Sequence, residues 1–206
     1  MQKSLIASLI VIVIFSLNFQ HSKDEVVKHR TEIEKWQNEL NHEFADSAAS
    51  CLSPLDRARF HALDFYPINI SYSVQARFER TKDEKEFGMK TTTDRLPIYI
   101  RYGIAHFSLD GKDLKINIYQ NVKFSKTDKY KDYLFMLFND QSSVKDSYGG
   151  GRYIDLRIPQ GDSILIDFNR AYNPYCAYNH KYSCPIPPDD DYLDVNILAG
   201  CKKGFH

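Results

Sequence analysis

The chain has 206 residues, of which 43% are hydrophobic and 26% are charged, as is typical of one globular domain with appendages. Because 27 Lys and Arg residues balance 27 Asp and Glu residues, no basic excess is present that would bind nucleic acid or an anionic membrane surface. Fourteen Tyr and thirteen Phe residues favour β-structure, since flat rings pack well on pleated surfaces.

The first 20 residues are typical of an export signal. Lys3 precedes an apolar run from Leu5 to Phe15, which is shorter than the roughly 20 residues that a membrane span needs. No Ala-x-Ala-like cleavage site follows this run, so a cleaved signal peptide and an uncleaved signal anchor both remain open. In either case we expect a protein of the periplasm or cell envelope, whose membrane contact is limited to such an anchor.

Residues 21–52 are predicted to form a helical arm. From Asp24 to about Ala48 one apolar stripe recurs at three- and four-residue steps on an otherwise charged helix, formed by Ile33, Trp36, Leu40 and Phe44. If this stripe stays exposed, it favours a scaffold or partner-binding module. A second, short helix is expected to begin after Ser53, which can cap it ahead of Pro54.

A single β-rich domain is predicted over residues 53–200, followed by a tail over residues 201–206. The expected strands are Ile70–Phe78, Leu96–Arg101, Ala105–Leu109, Leu114–Tyr119, Tyr133–Phe138, Tyr153–Ile158, Ser163–Phe168 and Val195–Leu198. Asp110-Gly111 predicts a tight hairpin, and Thr81 to Lys90 a loop. Seven to eight short strands favour a mainly β fold, either a β-sandwich or a partly open barrel behind the helical arm.

Three consecutive glycines, Gly149, Gly150 and Gly151, directly precede Arg152. Such glycines can turn backbone N–H groups toward one anion, and the arginine can clamp a carboxylate or phosphate with two hydrogen bonds. The alternative is a glycine-rich turn that leads into the strand at Tyr153.

Two carboxylates, Asp155 and Asp167, lie on neighbouring predicted strands and are candidates for a general acid and base. The alternative is an Asp167–Arg170 ion pair that fixes the end of a strand. Further candidate ligand-binding residues follow the second strand, namely Asn169, Arg170, Tyr172, Asn173 and Tyr175.

Cys176, His180 and Cys184 are each separated by three residues. They allow a zinc or copper site, a Cys176–Cys184 disulfide, or a Cys176 nucleophile with His180 as its base. Export to an oxidising compartment favours the disulfide. Cys51 and Cys201 are left either paired or free.

These motifs resemble the domain of unknown function 1684 family, in the form found in Bacteroidetes-type bacteria. The resemblance spans roughly Asp24 to Gly200 and is carried by Ser53-Pro54-Leu55, Tyr148 to Tyr153, Asp167 to Pro174, Cys176-Ala177-Tyr178, Cys184 to Pro188 and Ala199-Gly200. It implies no activity, because the family is named for having none assigned. It also implies that both cysteines belong to the family's pattern and that His180 does not, which disfavours the metal site.

The leading hypothesis is an exported, non-catalytic β-domain that binds a small polar or anionic ligand, such as a saccharide or envelope component. Gly149 to Arg152 and Asp167 to Tyr175 would line its site, and no metal or other cofactor is implied. The alternative is an envelope hydrolase that uses Asp155 with Asp167, or Cys176 with His180.

Overall fold

The computed structural model describes the backbone of residues 2–204 and the side chains of residues 23–204. The predicted export signal over residues 1–20 therefore lies outside the residues whose side chains are described. Within the described part of the chain, no helix is both long and apolar enough to cross a membrane.

Two α-helices precede the sheet, α1 over Gln2–Ala45 and α2 over Pro54–Arg59. The Ser53 hydroxyl accepts a hydrogen bond from the backbone N–H of Asp56 at 3.1 Å. Pro54 occupies the first turn, where a missing N–H costs nothing. The short, capped second helix is thus confirmed.

Eight strands form one curled sheet, a half-barrel. They are β1 Ser73–Arg80, β2 Phe87–Gly88, β3 Ile98–Leu109, β4 Lys112–Asn121, β5 Tyr133–Asp140, β6 Arg152–Arg157, β7 Ser163–Asp167 and β8 Tyr192–Leu193. The order is β6-β5-β4-β3-β1-β7, with β2 beside β3 and β8 beside β5. Only the β5–β8 pairing is parallel among the described strands. The mainly β fold behind an N-terminal helix is confirmed.

The β3–β4 hairpin turns at Asp110-Gly111, as predicted, with φ of 51° and 74° at the two residues. The two strands expected before this turn are one strand, because the break between them is a β-bulge at Arg101 to Gly103. A Cβ at position 103 would lie 2.4 Å from Cζ of Phe78, so glycine lets the neighbouring strand pack closely there.

Two other strand boundaries differ from the prediction. Ile70–Tyr72 forms a 3₁₀ turn whose cap is Asn69, because the Asn69 side chain accepts from the Ser71 N–H at 3.0 Å. The strand therefore begins only at Ser73. The predicted loop over Thr81 to Lys90 contains β2, which pairs with the start of β3.

The predicted strand Val195–Leu198 is wrong. Val195 and Ile197 are buried, as an alternating pattern suggests, but the backbone of Ile197 bonds to side chains. Its N–H donates to Asp140 at 2.7 Å, and its carbonyl accepts from Arg152 at 2.9 Å. The last strand is instead β8, just before this segment.

The sheet is buried on both faces around its centre. One face forms the main core inside the curl, where Leu134, Met136 and Phe138 of β5 pack. The other face is largely aromatic, and here the alternate residues Phe135 and Leu137 pack. The continuous apolar run of β5 is therefore explained by burial on both sides.

The apolar stripe of α1 packs against the rest of the protein. Ile33 is 0% exposed and Phe44 lies in a cluster with Leu63 and Cys201. The rings of Trp36 and Phe65 meet edge to face, with centroids 6.0 Å apart. The stripe is therefore not a free surface for a partner, and α1 crosses the aromatic side of the molecule.

Candidate ligand-binding site

A cavity of about 420 Å³ lies between α1 and the aromatic face of the sheet. Six of the aromatic residues in its wall are Trp36 of α1, Tyr133, Phe135 and Tyr153 of the strands, and Tyr172 and Tyr175 of the segment after β7. The cavity also contacts the carboxylates of Asp155 and Glu43. The fold thus creates here an apolar pocket with a few polar groups.

Asp155 projects from β6 beside Phe135 of β5 and is exposed at the cavity. Its Oδ1 accepts hydrogen bonds from the hydroxyls of Tyr133 and Tyr172, both at 2.7 Å. Burial, reinforced by the Asp155 charge, raises the pKa of both tyrosines well above its usual range, so both remain neutral donors. The Oδ2 atom accepts no hydrogen bond from the described residues.

Two further polar groups, Glu43 and Asn173, also line the cavity. The Tyr175 hydroxyl donates to Glu43 of α1, and burial together with this bond raises the pKa of Tyr175. Asn173 is 2% exposed, and its amide donates to the Tyr178 hydroxyl at 3.0 Å and to the Lys202 carbonyl at 2.7 Å. The Asn173 Oδ1 atom has no partner among the described residues.

Arg152 is a buried structural residue. Its side chain is 1% exposed and pairs with Asp140 at 3.2 Å. It also donates to the carbonyls of Ala199 at 2.6 Å and Ile197 at 2.9 Å. Burial lowers the pKa of Arg152, and the Asp140 charge opposes this shift. The geometry does not support Arg152 as a ligand clamp, because its guanidinium is enclosed and used by the protein.

The three glycines form the turn that enters β6, and none lines the cavity. Gly151 has φ of +90°, and a Cβ there would lie 2.3 Å from Cγ of Pro187. Its N–H donates to the Tyr148 carbonyl at 3.2 Å, which closes the turn. Gly149 and Gly150 are exposed. These contacts support the alternative of a glycine-rich turn rather than an anion nest.

Asp167 fastens the helical arm to the sheet. Its Oδ2 lies 2.8 Å from Nε2 of His29, while Oδ1 accepts from the backbone and side-chain N–H groups of Asn169. The predicted pairing with Arg170 does not form, and Arg170 has no hydrogen bond or ion pair among residues 23–204. None of Asp167, Asn169 and Arg170 lines the cavity.

Cys176 and Cys184 are neighbouring thiols. The Cys176 N–H donates to Cys184 Sγ at 3.3 Å. Hydrogen bonding from Cys184, aided by Tyr148, lowers the pKa of Cys176 to about 7. Within the described residues, His180 is exposed and bonds to neither cysteine, and no cluster of three metal-ligating side chains occurs. Cys184 also contacts the cavity.

Comparison with known proteins places the chain in a family. The family model described as "Protein of unknown function (DUF1684)" matches residues 58–202. The chain belongs to this family. Its structure is similar to a solution NMR structure of an uncharacterized protein from Haloarcula marismortui, with 28% identity and a TM-score of 0.67, over 87% of this chain and 96% of that one. A search of curated proteins found no match.

The matched region differs slightly from the resemblance seen in the motifs. It includes Cys201 and Lys202, which the motif-based span excluded, and it begins at residue 58, after the whole of the helical arm. Most of the cavity wall lies within it, but four wall residues precede it, namely Trp36, Leu40, Glu43 and Phe44.

The candidates divide clearly once the fold is known. Asp155, Tyr172, Asn173 and Tyr175 line one cavity, and the other predicted ligand-binding residues do not. The sequence argument missed Tyr133, Tyr153 and Glu43. For Tyr133, the only sequence signal is its alternation with Phe135 in β5. No local sequence pattern indicates Glu43, because α1 meets the sheet only in the folded protein.

Proposed function

We propose that the protein is a non-catalytic binding protein for a small polar organic molecule, held in the cavity between α1 and the aromatic face. The observation that carries this proposal is a pocket of about 420 Å³ with aromatic walls and two unused acceptors, Asp155 Oδ2 and Asn173 Oδ1. Small-molecule sites are typically about 300–1,000 Å³ and combine apolar walls with a few convergent polar groups.

The unpartnered Asn173 oxygen supports a ligand in particular. A buried acceptor without a donor costs about 1–3 kcal/mol, and a ligand N–H or O–H at this position would remove that cost. The anionic ligand considered from the sequence is not favoured at this pocket. Its wall contains no Lys, Arg or His among the described residues and carries the carboxylates of Asp155 and Glu43.

A ligand screen tests the proposal. Ligand-observed NMR is run with N-acetylglucosamine, choline and acetate as representatives of neutral, cationic and anionic compounds. We expect at least one compound to bind the wild type and to bind Asp155→Asn about tenfold more weakly, since a charged hydrogen bond is lost.

Asp113→Asn is the matched control, because Asp113 is an exposed carboxylate of β4 that does not line the cavity. It lies next to the β3–β4 turn, whereas the cavity contacts Tyr99 at the opposite end of β3. This variant should bind as the wild type does. Binding that is equal in Asp155→Asn and wild type, or no binding by any of the three classes, would contradict the proposal.

We propose further that the protein works outside the cytoplasm, where Cys176 and Cys184 form a disulfide. The sequence of residues 1–20 and the adjacency of the two thiols support this. Such a bond would constrain the segment that ends beside the cavity at Cys184. Intact mass of the exported protein, with and without reductant, should show the loss of two hydrogen atoms in wild type and not in Cys176→Ser.

The hydrolase alternative gains no support from the geometry. Asp155 lines the cavity, but Asp167 is held by His29 and Asn169 away from the cavity wall. No hydrogen bond joins Cys176 to His180 among the described residues. The two pairs of groups that this chemistry needs are therefore not assembled.

A further inference from the structure

We infer that the ligand of this cavity is an organic cation, an ammonium group that carries small apolar substituents. This inference rests on the proposed binding function and specifies the ligand class. It follows from the charge of the wall, the arrangement of the rings, and the free acceptors beside them.

The charge of the wall favours a cation. Asp155 and Glu43 contribute two carboxylates, and no basic side chain of the described residues lines the cavity. Arg157 lies outside this wall, with its Cζ 5.4 Å from the centre of the Tyr133 ring. Opposite charges within a few ångströms attract strongly where water is partly excluded, so a bound cation would balance this acidic site.

Two ring pairs around Asp155 meet at steep angles, whereas Tyr133 and Phe135 are nearly parallel, inclined by 23°. The planes of Phe135 and Tyr153 are inclined by 74° with centroids 4.8 Å apart, and those of Tyr153 and Tyr172 by 87° with centroids 5.8 Å apart. Such rings form the walls of a box, whereas a sugar ring stacks best on one flat face. Boxes of aromatic rings bind ammonium groups, because the negative faces of several rings surround the positive charge.

The tyrosine hydroxyls keep the rings and the carboxylate in place. Tyr133 and Tyr172 both donate to Asp155 Oδ1, and the Tyr153 hydroxyl donates to the Pro185 carbonyl. These bonds fix the rings and leave Asp155 Oδ2 to face a cation. The site is thus organised before the ligand arrives, which reduces the entropic cost of binding.

The decisive experiment compares choline with its uncharged isostere 3,3-dimethylbutan-1-ol on the wild-type protein by isothermal titration calorimetry. The two molecules have the same shape and differ only in the charge of the quaternary centre. We expect choline to bind at least about tenfold more tightly, and to weaken as salt concentration rises. Equal affinity for the two compounds would overturn the inference, and this comparison needs no variant.

Variants locate the effect. Asp155→Asn should weaken choline about tenfold while leaving the isostere unchanged, and Asp113→Asn should change neither. Tyr172→Leu removes a wall of the box and should weaken choline more than Tyr172→Phe, which keeps the ring. Choline affinity that is unchanged in Asp155→Asn would contradict the assignment to this cavity.

The ligand screen with N-acetylglucosamine, choline and acetate separates this inference from the binding function on which it rests. If N-acetylglucosamine binds in an Asp155-dependent manner and choline does not, the cation is excluded and the binding function stands. If neutral, cationic and anionic probes all fail to bind, both are refuted.

Discussion

Replacing Arg152 with methionine distinguishes a structural arginine from a ligand-binding one. Methionine keeps an unbranched apolar stem and removes the charge. The Asp140 carboxylate, whose side chain is 0% exposed, would lose its partner at 3.2 Å. The carbonyls of Ala199 and Ile197 would lose donors at 2.6 and 2.9 Å.

The contacts set the size of the effect. Removing one partner of a buried ion pair costs about 3–5 kcal/mol, because the other charge stays buried without compensation. Asp140 retains hydrogen bonds from the Ile197 N–H and the Ser142 hydroxyl, which favours the lower part of this range. The two carbonyls add about 1 kcal/mol each. We expect a total of about 5 kcal/mol, a large part of the stability of an ordinary domain.

Urea unfolding followed by circular dichroism measures this loss. Arg170→Met is the matched control, since Arg170 is half-buried and forms no hydrogen bond or ion pair among the described residues. It should change the free energy of unfolding by about 0.5 kcal/mol or less. The double variant with Asp140→Asn should lose less than the sum of the single variants. An Arg152→Met protein within about 1 kcal/mol of wild type would refute the structural assignment.

Three further substitutions test other parts of the structure. Burial raises the pKa of Asp191 from 3.8 to about 6, so between about pH 4 and 6 the unfolded chain releases a proton that the folded protein keeps. Stability should therefore fall by about 3 kcal/mol as pH rises through this window, and urea titrations of Asp191→Asn should lack that fall. Gly151→Ala should lower stability by about 2 kcal/mol or more in thermal unfolding, because its Cβ meets Pro187 and φ is +90°, and an unchanged midpoint would contradict the packing. His29→Ala removes the bond to Asp167, so amide hydrogen exchange should become faster around residue 29 of α1 and stay unchanged in the sheet. Exchange rates in α1 equal to those of the wild type would show that this bond does not hold the helical arm.

Much of the fold is predictable because its signals are local. Alternating residues and turn chemistry identify most strands, and Asp110-Gly111 identifies the central hairpin. The signals fail where a partner distant in sequence supplies the hydrogen bonds. Val195 to Leu198 alternates like a strand, yet at its buried centre the Ile197 backbone bonds to the side chains of Asp140 and Arg152. No local pattern reports that choice.

The candidate site is predictable only in part. Clustering of polar and aromatic residues marks Asp155, Tyr172, Asn173 and Tyr175, which do line one cavity. The same clustering also indicates Arg152, but Arg152 does not line the cavity. A strand sends alternate side chains to opposite faces, so Arg152 faces the main core while its neighbour Tyr153 faces the aromatic side.

The sequence by itself determined the family and the mainly β class. It also determined two motifs that flank strands, the glycine-rich turn before β6 and the polar segment after β7. It determined these because composition, alternation and turn residues act over short stretches of chain. Only the tertiary structure decided that Asp167 bonds to His29, 138 residues away, rather than to Arg170 nearby. The packing of α1 against the sheet likewise places Glu43 beside Tyr175 in the cavity wall. No sequence pattern predicts this cavity, because it forms only between elements that have packed together.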